Sequence, residues 1–273
     1  MRALPMIMLM TLLGTSTTLH GQSQDENWKR CKGDDPERSI AGCSALIESR
    51  NYAGTNLANA FYDRGLAYAH KGDYDRAIQD YNQALRLNPN LANAFYSRGA
   101  AYADKADYDD AFRDYDQALR LNPNLANALY DRGLAYAHKR DYDHAIQDYD
   151  QALRLNPKLA SAFYSRGAAY ADKGDYDHAF QDYDHALRLD PHLANAFYDR
   201  GLAYAHKRDY DHAIQDYDQA LRLNPSLASA FYSRGNAYTD KGDHDRAFQD
   251  YEQALRLNPN SAGVSRRIVW TVN

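Results

Sequence analysis

Six prolines, Pro89, Pro123, Pro157, Pro191, Pro225 and Pro259, follow one another at a constant step of 34. A period that strict admits only an array of stacked supersecondary units. Glycine keeps the same step at Gly65, Gly99, Gly133, Gly167, Gly201 and Gly235, and tyrosine at Tyr68, Tyr102, Tyr136, Tyr170, Tyr204 and Tyr238. The sequence thus divides into six copies, 58–91, 92–125, 126–159, 160–193, 194–227 and 228–261.

Within the first copy, Phe61, Gly65 and Tyr68 fall at i, i+4 and i+7, and Ala77, Tyr81 and Ala84 repeat that spacing. Each set lies on one helical face. Between them, Gly72 suits a left-handed helix end and Asp73 suits the cap of the next helix. Asn88 and Pro89 stop the second helix, because proline has no amide donor and restricts the residue before it. One copy is therefore expected to be a helical hairpin, with Gly65 and Ala77 small enough to let its two helices approach closely.

The spacing Phe61, Gly65, Tyr68, Ala77, Tyr81, Ala84, Pro89 resembles the tetratricopeptide repeat signature over about three quarters of the chain. That resemblance implies an all-α, right-handed α-α superhelix of six 34-residue hairpins. First helices would line a concave groove and second helices face outward, in a scaffold for peptides or partner proteins. Upstream, residues 36–47 resemble Tyr74–Leu85, with Ile40 at the place of Ile78 and Cys43 at that of Tyr81. We read this segment as a degenerate half-repeat capping the stack within an N-terminal cap over 22–57, since a terminal repeat must cover an apolar face that has no neighbour. Four extra residues are needed there before Leu57 matches Leu91. A tail over 262–273 follows the repeats. All 24 tyrosines are accounted for by the repeats and Tyr52, so little sequence remains for another domain.

At the N-terminus, Arg2 precedes an apolar run from Ala3 to Leu13, followed by a Ser/Thr-rich stretch. This is a secretory pattern over 1–21, too short for a spanning helix, which needs roughly 20 apolar residues. A periplasmic or secreted chain without stable membrane insertion is expected. Cys31 and Cys43 are the only cysteines, and an oxidising compartment favours a disulfide between them over free thiols. With no neighbouring His they make a poor zinc site.

Two lines of candidate binding residues run through the copies. Tyr62, Tyr96, Tyr130, Tyr164, Tyr198 and Tyr232 supply one groove tyrosine per first helix by the resemblance, a residue suited to peptide contact. The alternative is that these rings only pack between hairpins. His70, Asp104, His138, Asp172, His206 and Asp240 form a stripe that alternates, as do Asp63 with Ser97 and Leu66 with Ala100, so the true unit spans two copies. Copies 126–159 and 194–227 differ only at Leu129/Phe197 and Lys158/Ser226, so duplication alone can produce the alternation. If the histidines lie beside acids in the groove, protonation near pH 6 makes it less negative.

Each first helix also carries an arginine (Arg64, Arg98, Arg132, Arg166, Arg200, Arg234) and each second helix an aspartate (Asp80, Asp114, Asp148, Asp182, Asp216, Asp250), expected to pair within the hairpin. Asp150 with Arg154, and Asp218 with Arg222, fit i,i+4 support on a solvated face. No cofactor or metal is indicated. Every Asp, His and Gly cluster recurs with the period, whereas an active site is usually singular, so an enzyme is not expected. A formal net charge of -5 with dispersed basic residues argues against nucleic acid, as does a period of 34 rather than the 35 of RNA-binding pentatricopeptide repeats. The reading is a protein-binding scaffold in envelope assembly, with self-association left open.

Overall fold

The computed structural model describes residues 25–259. The signal segment over 1–21 and the tail over 262–273 lie outside them. Fourteen helices and no strand occur among the described residues, and the chain divides after Pro123 into two compact units.

The first unit opens with α1 over 25–31 and α2 Pro36–Glu48. Asp35 caps α2 by accepting from the Arg38 amide at 2.8 Å, and Pro36 takes the first helical position, where no donor is needed. The α2 segment is the degenerate half-repeat of the sequence, and α1 stands in front of it, so the cap is itself a short hairpin. Gly42 makes this approach close, since a Cβ there would lie 2.7 Å from both the Arg30 Cβ and the Cys31 nitrogen. The Cys31–Cys43 disulfide ties α1 to α2. Leu46 and Ala60 share its core, with Trp28, Ile47 and Tyr52 packed against it.

Two hairpins follow, α3 Gly54–His70 with α4 Tyr74–Leu87, and α5 Ala92–Asp104 with α6 Tyr108–Leu121. The four extra residues noted upstream add a turn to α3, which has 17 residues where α5 has 13. The second unit holds four hairpins in series: α7 Ala126–His138 with α8 Tyr142–Leu155, α9 Ala160–Asp172 with α10 Tyr176–Leu189, α11 Ala194–His206 with α12 Tyr210–Leu223, and α13 Ala228–Asp240 with α14 His244–Leu257. Each second helix in that unit packs on the next first helix, and the first helices α7, α9, α11 and α13 also touch in succession. The first helices of that unit therefore share one continuous face.

The hairpin is closed by a tyrosine laid against a glycine. Tyr81, Tyr115, Tyr149, Tyr183, Tyr217 and Tyr251 are fully buried. A Cβ on Gly133 would stand 2.7 Å from the Tyr149 ring, and one on Gly201 2.7 Å from the Tyr217 ring. Between the helices the chain enters the left-handed region, where Gly72, Gly174 and Gly242 sit without strain. Ala106, Arg140 and Arg208 hold the same conformation with a side chain, at φ of 59°, 61° and 61°.

Candidate functional site

Arginine ties each hairpin together and, within each unit, ties it to the element before it. In the fourth repeat, Arg166 donates from Nε to Asp182 Oδ2 at 2.8 Å and from Nη2 to Asp182 Oδ1 at 2.6 Å. The same fork joins Arg64 to Asp80, Arg98 to Asp114, Arg132 to Asp148, Arg200 to Asp216 and Arg234 to Asp250. The six aspartates are buried. Each is thus held by a bidentate, charge-assisted pair, and the pairing expected from sequence is observed in all six repeats.

The remaining guanidinium nitrogen reaches back to the preceding second helix. Arg166 Nη1 meets Asp150, Arg200 Nη1 meets Asp184 at 2.5 Å, and Arg234 Nη1 meets Asp218 at 2.5 Å. Arg98 reaches Asn82 in the same way, and Arg64 reaches Ser44 of the cap at 3.0 Å. This corrects the sequence reading of Asp150 and Asp218. Both serve the next repeat's arginine rather than Arg154 and Arg222, because an inter-hairpin partner reaches them from the stack.

The tyrosine line is half-buried and leans on its neighbours. Tyr62 Oη stands 3.5 Å from Ser97 Oγ, Tyr130 Oη 3.4 Å from Ser165 Oγ, and Tyr198 Oη 3.4 Å from Ser233 Oγ. Tyr164 differs, donating to Asp199 Oδ2 at 2.7 Å. Each of Tyr62, Tyr96, Tyr130, Tyr164, Tyr198 and Tyr232 also tilts against the buried tyrosine of its own hairpin, with centroids 5.8 to 6.3 Å apart. All six rings therefore pack within their own hairpin, Tyr62, Tyr130, Tyr164 and Tyr198 also reach the next one, and each leaves only part of itself to solvent.

Within the second unit the first-helix face is dimpled between the third and fourth and between the fourth and fifth repeats. A cavity of about 220 Å³ is lined by Leu134, His138, Tyr142, Tyr164, Ser165 and Asp172. The next, about 260 Å³, is lined by Asp172, Tyr176, Tyr183, Asp199, Leu202 and His206. The His/Asp stripe is thus brought together pairwise, and Asp172 borders both cavities. His206 stacks on Tyr176 with centroids 5.6 Å apart. In the first unit, His70 shares a cavity with Asp63, Leu66 and Lys32. Asp104 lies by Tyr74, whose phenol it holds above the usual range through its charge. Asp240 ends α13.

Sequence reasoning missed Asp199 as a partner of Tyr164. Burial pushes its carboxyl above the usual range, the Tyr164 hydrogen bond works against that, and the charge of Asp172 adds to it. The two-copy alternation that puts Asp at 199 and Ser at 165 was the available signal. Among the described residues no cluster of three His, Cys, Asp or Glu could hold a metal ion, and no helix is long and apolar enough to cross a membrane.

Helical hairpins packed in series, each closed by Tyr against Gly, define an α-helical repeat array, and within the second unit its first helices offer a shared face. A TPR repeat model matches residues 65–106, and the tetratricopeptide repeat model matches 92–125, 126–159, 160–193, 194–227 and 228–261. The chain belongs to the tetratricopeptide repeat family. No curated protein matches it in sequence. Among solved structures it is similar to MamA, at 29% identity over 60% of this chain and 96% of that one, with a TM-score of 0.56. PilF of Pseudomonas aeruginosa shares the fold at 21% identity, over 78% of this chain and 97% of that one, with a TM-score of 0.69. YrrB, reported as a TPR protein with an unusual peptide-binding site, shares it at 22% identity, over 68% and 96%, with a TM-score of 0.58.

Proposed function

We propose that this chain is a non-catalytic scaffold that binds a polypeptide partner along its first-helix face, exported to the periplasm or beyond and acting in envelope complex assembly. The observation that carries the binding reading is the pair of adjoining cavities on that face, each bordered by tyrosine and by members of the His/Asp stripe. Tyrosine gives large contact area with a polar tip, and two adjoining dimples suit an extended chain whose side chains enter in turn. A fold neighbour, YrrB, is reported with a peptide-binding site, which is in keeping with this use of the array. The N-terminal secretory pattern and the Cys31–Cys43 disulfide support export.

The test is capture from an envelope extract with two triple variants beside the unaltered chain. His138, Asp172 and His206 become Ala in one. Leu155, Leu189 and Leu223, exposed at the ends of second helices, become Ala in the other. A partner lost only with the first variant supports the proposal, and loss only with the second moves the binding surface to the second helices. Processing at the N-terminus and fractionation of the native protein test export.

A further inference from the structure

The cavity between the fourth and fifth repeats presents two carboxylates, Asp172 and Asp199, with His206 beside them and no Lys or Arg in its lining. One oxygen of Asp199 is taken by the Tyr164 hydroxyl, and the charge acting on this carboxylate is that of Asp172, of the same sign. Among the described residues neither aspartate makes an ion pair with Lys or Arg. The rest of the lining is aromatic and aliphatic, from Tyr176, Tyr183 and Leu202, with the His206 ring stacked on Tyr176.

The N-terminal end of the same chain shows what such a wall accepts. Asp63, Leu66, Ala67 and His70 are the first-repeat counterparts of Asp199, Leu202, Ala203 and His206, and both sets line a cavity. In front of the first repeat the opposite wall comes from the cap, and it brings Lys32 into the cavity with Asp63. The lysine offsets the burial of that carboxylate, and its ammonium lies 5.4 Å from the centre of the Trp28 ring. One Asp/Leu/Ala/His wall thus meets an internal lysine beside an aromatic ring at the cap. Between the fourth and fifth repeats an equivalent wall meets aromatic rings, two alanines and a second acid, with no Lys or Arg among them. An ammonium or guanidinium between carboxylates and tyrosine faces gains from both.

We propose that the cavity bounded by Asp172 and Asp199 takes one Lys or Arg side chain of the bound polypeptide, so that partners are selected for a basic residue at that point. The proposal rests on the reading of the first-helix face as the polypeptide-binding surface, and narrows it. The neighbouring cavity, with Ser165 in place of the second acid, lacks this preference.

The test uses the full chain and three end-blocked, fluorescently labelled pentapeptides with alanines around a central Lys, acetyl-lysine or Glu, followed by fluorescence polarisation. Asp199→Asn keeps shape and the Tyr164 bond while removing the charge, and its helicity is verified. The expected result is Lys peptide binding at least about tenfold tighter than either comparison peptide, with that advantage lost in Asp199→Asn. Equal affinity for all three peptides, or a Lys advantage that survives Asp199→Asn, overturns the proposal. If the partner captured from extract still depends on His138, Asp172 and His206 in that case, the broader reading stands. Absence of binding by any of the three overturns the cation pocket, and the capture experiment then decides the groove separately.

Discussion

The junction between the third and fourth repeats and the junction between the fourth and fifth are built from nearly the same residues, yet one sets a hydroxyl and the other a carboxylate against the tyrosine that crosses it. In the former, Tyr130 Oη stands 3.4 Å from the Ser165 hydroxyl, and the Tyr149 hydroxyl is buried without a hydrogen bond. In the latter, Tyr164 donates at 2.7 Å to a carboxylate whose ionised form is disfavoured by burial. The arginine fork and its reach backwards are common to both. A single alternating position, Ser165 or Asp199, therefore decides whether the tyrosine meets a hydroxyl or a carboxylate at the cavity wall.

The largest effect should come from what the two junctions share. Arg166→Ala and Arg200→Ala each leave a buried aspartate without its partner, and each should cost about 3 kcal/mol or more, read from urea unfolding. Equal losses confirm that the fork is indifferent to junction type. Tyr164→Phe comes next, at about 1.5 to 3 kcal/mol, since it strips Asp199 of its donor, whereas Tyr130→Phe should cost no more than about 0.5 kcal/mol. Hydrogen exchange on α9 and α11 would show which junction loosens.

Asp199→Asn should stabilise the chain at neutral pH by up to about 1 kcal/mol. The sign follows from the raised carboxyl: folding favours its protonated form, so unaltered protein loses stability as pH climbs from the ordinary Asp value through the raised one. The variant should lack that part of the slope, which melts at about pH 4 and pH 7 would reveal. Ser165→Asp runs the comparison the other way, giving the third-to-fourth cavity the second acid and, with it, a preference for the Lys peptide. The smallest effect concerns the turns. Arg140 precedes the third repeat's second helix at φ 61°, where the fourth repeat has Gly174. Arg140→Gly should raise the thermal midpoint by an amount equivalent to about 0.5 to 1 kcal/mol.

Most of the fold was legible because it is written locally. Gly72 and Asp73 mark the turn and the cap of α4, Gly65 and Ala77 mark the close approach within the hairpin, and Arg64 with Asp80 announces its ion pair, whereas the Tyr81 ring against Gly65 is seen only in the structure. The reach of Arg166 to Asp150 was not legible, because it depends on how one hairpin is set upon the next. The i,i+4 pattern of Asp150 with Arg154 offered a nearer partner on paper. In the cap, Cys43 stood out at the place of Tyr81, but α1 lacks the Phe/Gly/Tyr spacing that betrays a first helix, and only the Gly42 approach discloses it. The site was half legible. His138, Asp172 and His206 were visible as a stripe, whereas the role of Asp199 needed the tyrosine across the junction.

The alternation also sets how such a chain can change in length. Removing or adding a single copy would join two repeats of like kind, replacing a serine-type junction and an acid-type junction by one of mismatched kind. Removing or adding a pair of copies, the separation between the near-identical 126–159 and 194–227, keeps every remaining junction matched and changes the number of acid-lined pockets by one. Length variation in this chain would therefore come in double steps, each acting as a count of basic residues that a partner must present.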